Sequence, residues 1–126
     1  MTVNVYEVPR ERWVDELNAF TLFCQGWIVS VDVFGRDPEE ALEIQRLPLL
    51  GVSADCTDHD GVVSISVARS AAEHFTHHVH SVRRIYVEVA VDGSKAGLLI
   101  ESGERARTVV ELLATGMPPA ASTRPS

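Results

Sequence analysis

The segment IYVEVAVDGSKAGLLI, residues 85–100, decides the fold class. Apolar residues occupy every second position from Ile85 to Val91, which is the pattern of a strand with one buried face. Asp92-Gly93 follows, and both positions tolerate the positive φ of a tight hairpin turn. The apolar positions resume after this turn. The segment therefore predicts an antiparallel hairpin.

Similar strand-sized segments precede and follow this hairpin. Alternating apolar residues mark 27–34, 50–54 and 63–67, and a last apolar run closes the series at 109–113. Glycine-containing turns separate most of them, with the clearest at 58–61. Connections this short join antiparallel neighbours, because a parallel crossover needs about a dozen residues or more. The sequence therefore predicts about six strands.

The first part of the chain predicts a helix. Pro9 suits a first helical position, and Gly26 suits the left-handed end of a helix. Large apolar residues between them are spaced by four, three and four positions, which places them on one helical face: Trp13, Leu17, Phe20 and Cys24. We expect a helix over 9–24. Residues 2–8 predict a short strand or an ordered arm.

Two segments lack strand or helix periodicity. Residues 35–46 are acidic and contain Pro38, so they predict a loop or one helical turn. Residues 115–126 hold three prolines and predict a disordered C-terminal tail. The chain has 126 residues, which fits one domain, expected at residues 1–114.

Together these elements predict an α+β fold. A twisted antiparallel sheet with one apolar face must cover that face. We expect the amphipathic N-terminal helix to pack on a strongly bent, mainly antiparallel sheet or on a partly closed small β-barrel of about six strands.

The charge is acidic and unevenly distributed. The net charge is −7, and such a protein repels the phosphate backbone, so nucleic acid is disfavoured as a partner. Residues 32–60 hold eight acidic residues against two arginines, whereas residues 69–84 hold three arginines and four histidines. The acidic region is either a solvated face or one end of a surface dipole that orients a partner.

Compartment signals are few. No run approaches the ~20 apolar residues of a membrane helix, and the N-terminus has no apolar signal segment. Cys24 and Cys56 belong to no CxxC pair. Two such cysteines without a secretion signal indicate reduced thiols, so we expect a cytoplasmic protein with no membrane association.

Four histidines within seven residues form the candidate metal site. Ser70 and Glu73 have the spacing of a helical capping box. In a short helix His74 and His78 would share a face, and in an extended exit the last two imidazoles would point the same way. Imidazole is the commonest protein ligand for zinc, so the candidate zinc ligands are His74, His77, His78 and His80. The alternatives are a histidine-rich surface turn and a pH-responsive patch.

Several short motifs, taken together, carry a family resemblance. They are VPRERW at 8–13, Gly26-Trp27, LPLLGVSAD at 47–55, the histidine segment and LIESGE at 99–104. The chain resembles a family of small bacterial proteins of unknown function over residues 6 to about 113. The resemblance implies a stand-alone bacterial cytoplasmic protein and brings no activity or cofactor. The order of elements also resembles Sm-like and other small β-barrels, a likeness of fold that assigns no function.

The sequence favours binding over catalysis. It contains no GxSxG, Walker or Rossmann motif. We expect a non-enzymatic protein-binding or assembly module whose partner is another protein or a second copy, since exposed edges of a small sheet can pair with another chain. The alternative is a zinc-binding protein or metal-dependent enzyme that uses the histidine cluster.

Overall fold

Strands dominate the computed structural model, which describes residues 4–35, 42–56, 61–103 and 106–114. In chain order the elements are β1 (Asn4–Val8), a single 3₁₀ turn (Arg10–Arg12), α1 (Trp13–Cys24), β2 (Ile28–Phe34), β3 (Leu42–Asp55), β4 (Gly61–Ala68), β5 (His74–Val89), β6 (Lys95–Ser102) and β7 (Ala106–Ala114). No helix in these ranges is long and apolar enough to cross a membrane.

Six strands close into an antiparallel barrel. Their order is β5-β4-β3-β2-β7-β6, and β6 pairs again with β5. β1 lies outside this ring and pairs with residues 85–89 of β5. The described part of the chain is therefore largely β with one α-helix, so the predicted α+β class is only partly confirmed. The ring closes, where the sequence left open a bent or partly closed sheet.

Closure of the barrel depends on two long strands, β3 and β5. Each of them bends and pairs with one neighbouring strand along its first part and with another along its second part. In β5, residues 74–82 pair with β4 and residues 82–89 pair with β6. Ser81 has a φ of 55° at this change of neighbour, beside register shifts in both pairings. β3 bends likewise near Arg46, which has a φ of 59°. Such irregularities bend a strand, as a barrel corner requires.

The bends set apart a three-stranded unit that carries the candidate site. We call residues 49–55 of β3, all of β4 and residues 74–82 of β5 the β3–β4–β5 half-sheet. Along β4 the residues on its inner face are buried and alternate with partly exposed ones: Gly61, Val63, Ile65 and Val67. The half-sheet therefore has one apolar face toward the core and one face toward solvent.

α1 covers the core as the sequence predicted. The four residues of its predicted apolar face are all at most 1% exposed: Trp13, Leu17, Phe20 and Cys24. The Trp13 indole N–H donates a hydrogen bond to the Val8 carbonyl at 2.9 Å. This bond satisfies the polar atom of a buried aromatic residue and ties β1 to the helix.

Other local predictions have mixed outcomes. The Asp92-Gly93 turn is confirmed, with a φ of 91° at Gly93 and an N–H from Gly93 to the Ala90 carbonyl at 2.9 Å. The weakly alternating N-terminal segment forms β1. The predicted loop over 35–46 was wrong at its end, since β3 begins at Leu42 and pairs with β2.

Other predicted segments lie partly or wholly outside the described residues. They are half of the loop at 35–46, most of the turn at 58–61 and the whole tail at 115–126. The division into a domain at 1–114 and a disordered tail therefore stays a prediction.

Candidate functional site

The histidine segment is a strand. β5 begins at His74, so the short helix suggested for this segment was wrong. Ser70 and Glu73 instead close the β4–β5 turn: the Arg69 N–H donates to the Glu73 carbonyl at 2.8 Å, and the Ser70 hydroxyl accepts from the Ala72 N–H at 3.3 Å. A serine followed three residues later by glutamate suits such a turn as well as a helix start, because the serine side chain bonds nearby backbone in both.

Strand alternation divides the four histidines between two faces. His77 lies opposite Ile65 and is half-buried on the core-facing side. His74 lies opposite Ala68 on the outer side and is exposed. His78 and His80 share that outer side, because residues two apart in a strand point the same way. Three of the four predicted ligands therefore share one face, and His77 does not.

The outer side of the half-sheet is polar and ordered by hydrogen bonds. The Ser64 hydroxyl and His78 Nδ1 share a hydrogen bond of 2.8 Å, and the hydroxyls of Ser66 and Thr76 share another of 2.8 Å. The ring centroids of His78 and His80 are 6.4 Å apart, as the extended arrangement predicted. We call this surface of β3, β4 and β5 the polar face.

A groove of about 390 Å³ runs between α1 and the polar face. Gly51 lines the groove close to Thr21, since a Cβ at position 51 would lie 3.3 Å from Thr21 Cγ2. Five of the ten lining residues carry a hydroxyl, one an amide and one an imidazole: Asn18, Thr21, Leu50, Gly51, Val52, Ser53, Ser64, Ser66, His74 and Thr76. The groove therefore offers mainly hydroxyl groups for hydrogen bonding.

One edge of the half-sheet is covered by α1. The Thr21 hydroxyl accepts a hydrogen bond from the Val52 N–H at 2.9 Å and lies 2.8 Å from the Val52 carbonyl, to which it donates. The Gln25 side-chain N–H donates to the Leu50 carbonyl at 3.2 Å. These side chains take the place that a neighbouring strand would hold on β3.

The opposite edge of the half-sheet has no neighbouring strand in the part of the chain that the structure describes. β6 reaches β5 only from Val82 onward, while β4 holds the other side of residues 74–82. The Ser81 carbonyl accepts the Gly103 N–H at 2.9 Å, which marks where the covered part begins. Among the described residues, 74–80 therefore present an open edge, in which every second residue turns its backbone N–H and C=O outward.

The surroundings of His77 change its pKa. Burial, and then the charges of His78 and His80, lower the pKa of His77 below its ordinary value. Within the described ranges no group of three or more His, Cys, Asp or Glu side chains could hold a metal ion. His59 and the acidic residues beside it, at 58 and 60, lie outside those ranges.

Comparison with known proteins assigns a family. A family model described as a family of unknown function (DUF5335) matches residues 4–119, nearly the whole chain. The chain belongs to the DUF5335 family. This confirms the resemblance drawn from the short motifs. No curated protein and no solved structure matches the chain.

The sequence missed two parts of the site in this DUF5335 member. Thr21 follows the buried Phe20 on α1, and nothing in the helix pattern indicates that its hydroxyl binds a strand edge. The open edge of β5 depends on where β6 ends, which is a long-range property. One available signal was the alternation of Phe75, His77 and Val79, which is the period-two pattern of a strand.

Proposed function

We propose that the chain is a non-enzymatic protein-binding or assembly module that binds through the open edge of β5. One observation supports this proposal: α1 occupies the β3 edge of the half-sheet, while residues 74–80 of β5 keep an edge with no described strand beside it. A strand edge offers N–H and C=O groups to another extended chain, which is how peptides add to sheets. Seven residues provide about 23 Å of edge.

The geometry of the polar face supports binding more than catalysis. In a Ser-His-Asp triad the carboxylate holds Nδ1 of the histidine and the serine uses Nε2. Here the Ser64 hydroxyl is bonded to Nδ1 of His78. The groups beside the open edge therefore suit hydrogen bonding to a partner.

The proposed partner is another protein or a second copy of this chain, in a bacterial cytoplasm. Both cysteines are free, which suits a reducing compartment. A net charge of −7 disfavours nucleic acid as the partner. A metal-binding role is the second candidate, and the shared face of His78 and His80 favours it.

Site-specific photo-crosslinking in bacterial cells tests the proposal. A photoreactive amino acid at position 76 should give discrete protein adducts, because Thr76 lies on the outer side of β5 within the open edge. The same photoreactive amino acid at position 107, an exposed arginine on β7, is the matched control. Adducts at 76 that are absent at 107 would support the proposal. No adduct at 76, or equal adducts at both positions, would contradict it.

A further inference from the structure

We propose that two copies of this chain pair edge to edge along residues 74–80 of β5 and bind zinc between them. The ligands of each zinc are His78 and His80 of one copy and the second copy's His74. This inference rests on the proposed function, for which it names the partner and the ion. It assigns a use to three of the four clustered histidines.

For each zinc ion, one chain supplies two of the three histidine ligands. His78 and His80 are exposed on the polar face, with ring centroids 6.4 Å apart. The Ser64 hydroxyl at Nδ1 of His78 orients that ring and leaves Nε2 for a metal. Metal-binding histidines commonly use their second nitrogen in this way. Zinc–nitrogen distances of about 2.0–2.1 Å are reached by small rotations of exposed rings.

A single chain does not complete the site with its described residues. Protein zinc sites use three or four protein ligands, and the described ranges hold no group of three candidate side chains. The missing ligand must therefore come from elsewhere. The open edge that runs alongside these histidines is where a second chain can bring one.

The ends of the open edge determine the register of a symmetric pair. β6 covers β5 from Val82, and the β4–β5 turn ends at Glu73. Two antiparallel copies pair along all of residues 74–80 only when His77 faces its own counterpart. If another residue lies at the centre of the pair, fewer residues are paired or one copy collides with β6 of the other. A two-fold axis through this centre is perpendicular to the sheet, so both polar faces lie on the same side.

This register brings the third ligand into place. His80 lies directly opposite the second copy's His74, and directly opposite Cβ atoms are about 4.5–5.5 Å apart in antiparallel pairs. His78 is two residues from His80 on the same face. The three imidazoles form a compact triangle that suits one zinc ion with a fourth position for water. Symmetry repeats the site, so the pair holds two zinc ions.

The charge of the chain gives zinc a second effect. Each copy carries −7, so two copies repel one another at neutral pH. A divalent cation at each site places positive charge between them. Zinc is therefore expected to strengthen the association of the two copies as well as to fill the two sites.

Sedimentation velocity with a zinc titration tests this inference. Untagged protein is stripped with chelator and studied at about pH 7.5, where imidazole is mostly neutral and free to bind metal. Wild-type protein should dimerise on zinc addition, with one zinc per chain by elemental analysis, and return to monomer with chelator. His80→Ala and His74→Ala should each weaken zinc-dependent dimerisation at least about tenfold, as lost metal contacts do. His77→Gln is the control and should keep it, and circular dichroism checks that each variant is folded.

The outcomes separate this inference from the proposed function. A dimer that forms without zinc and resists chelator would overturn the zinc site and leave the assembly module standing. Zinc bound to a monomer would place the site within one chain and overturn the inference. Zinc-dependent dimers of undiminished affinity in folded His80→Ala and His74→Ala would overturn the ligand set. Neither dimer nor zinc binding would overturn the inference, and the crosslinking experiment would then decide the proposed function.

Discussion

Thr21 on α1 holds both backbone groups of Val52 on β3 with one hydroxyl, which accepts from the N–H at 2.9 Å and donates to the carbonyl at 2.8 Å. The threonine acts as a substitute for a neighbouring strand. In the described part of the chain, this contact leaves β5 as the edge of the half-sheet that has no neighbour, and uncovered edge strands are sites of association.

Removing this hydroxyl should destabilise the fold. Thr21→Val keeps the shape of the side chain and leaves the Val52 N–H and carbonyl without their partner. We expect the free energy of unfolding to fall by about 1–3 kcal/mol, the usual cost of such a loss. Urea unfolding measures it, and Thr21→Ser, which keeps the hydroxyl, should lose less. Equal free energies of unfolding for wild-type protein and Thr21→Val would show that this contact does not stabilise the fold.

His77 should make stability depend on pH. Its pKa is lowered mainly by burial, with His78 and His80 adding to the shift. A group with a lower pKa in the folded chain takes up its proton on unfolding. Its contribution to stability is therefore fully present above about pH 6.5 and is lost as the pH falls through the folded pKa.

His77→Gln tests this dependence. Urea unfolding from about pH 8 to about pH 5 should show a smaller loss of stability in the variant than in wild-type protein. The difference between the two proteins at the higher pH reports packing alone, because the imidazole is neutral in both states there. Parallel pH profiles would show that His77 does not cause the effect.

The two cysteines should differ in reactivity. Burial raises the pKa of the Cys24 thiol to about 11, and Cys56 is only partly buried. Since the thiolate is the reactive form, a disulfide reagent should label Cys56 alone in the native protein and both thiols after denaturation. Cys56→Ser should abolish native labelling. Labelling of two thiols in the folded chain would place Cys24 in a different environment.

Gly61 is packed against Trp13. A Cβ at position 61 would lie 2.7 Å from Trp13 Cζ3, and the indole cannot move without disturbing its bond to Val8. Gly61→Ala should therefore lower the free energy of unfolding by about 1–3 kcal/mol through overpacking. Ser64→Ala, on the outer face of the same strand, is the control and should cost less. Thermal or urea unfolding that ranks them in the opposite order would contradict this packing.

The sequence predicted the parts of the fold that local patterns determine. The helical face from Trp13 to Cys24 and the Asp92-Gly93 hairpin are both present, because spacing and turn chemistry act over a few residues. The histidine segment was misassigned because Ser70 and Glu73 fit two local structures. The pairing of Val79 with Val63 across the turn favours the strand, and this contact between strands is not visible in a capping pattern.

The candidate site was predictable in composition and not in arrangement. The four histidines were identified as a cluster, and His78 and His80 share a face as the extended alternative required. Which imidazole faces the core depends on the register of β5 against β4. The open edge depends on the length of β6. Neither follows from the residues of the segment itself.

The most direct test of the open edge is residue-resolved amide hydrogen exchange of β5, in dilute and in concentrated protein with zinc. In the dilute monomer, amides of residues 74–80 should alternate between slow and fast exchange, because every second N–H bonds β4 and the others face solvent. On association the fast amides should become slow while β4 is unchanged. Uniform protection along 74–80 in the dilute monomer, or fast amides that stay fast in the assembled state, would contradict the account.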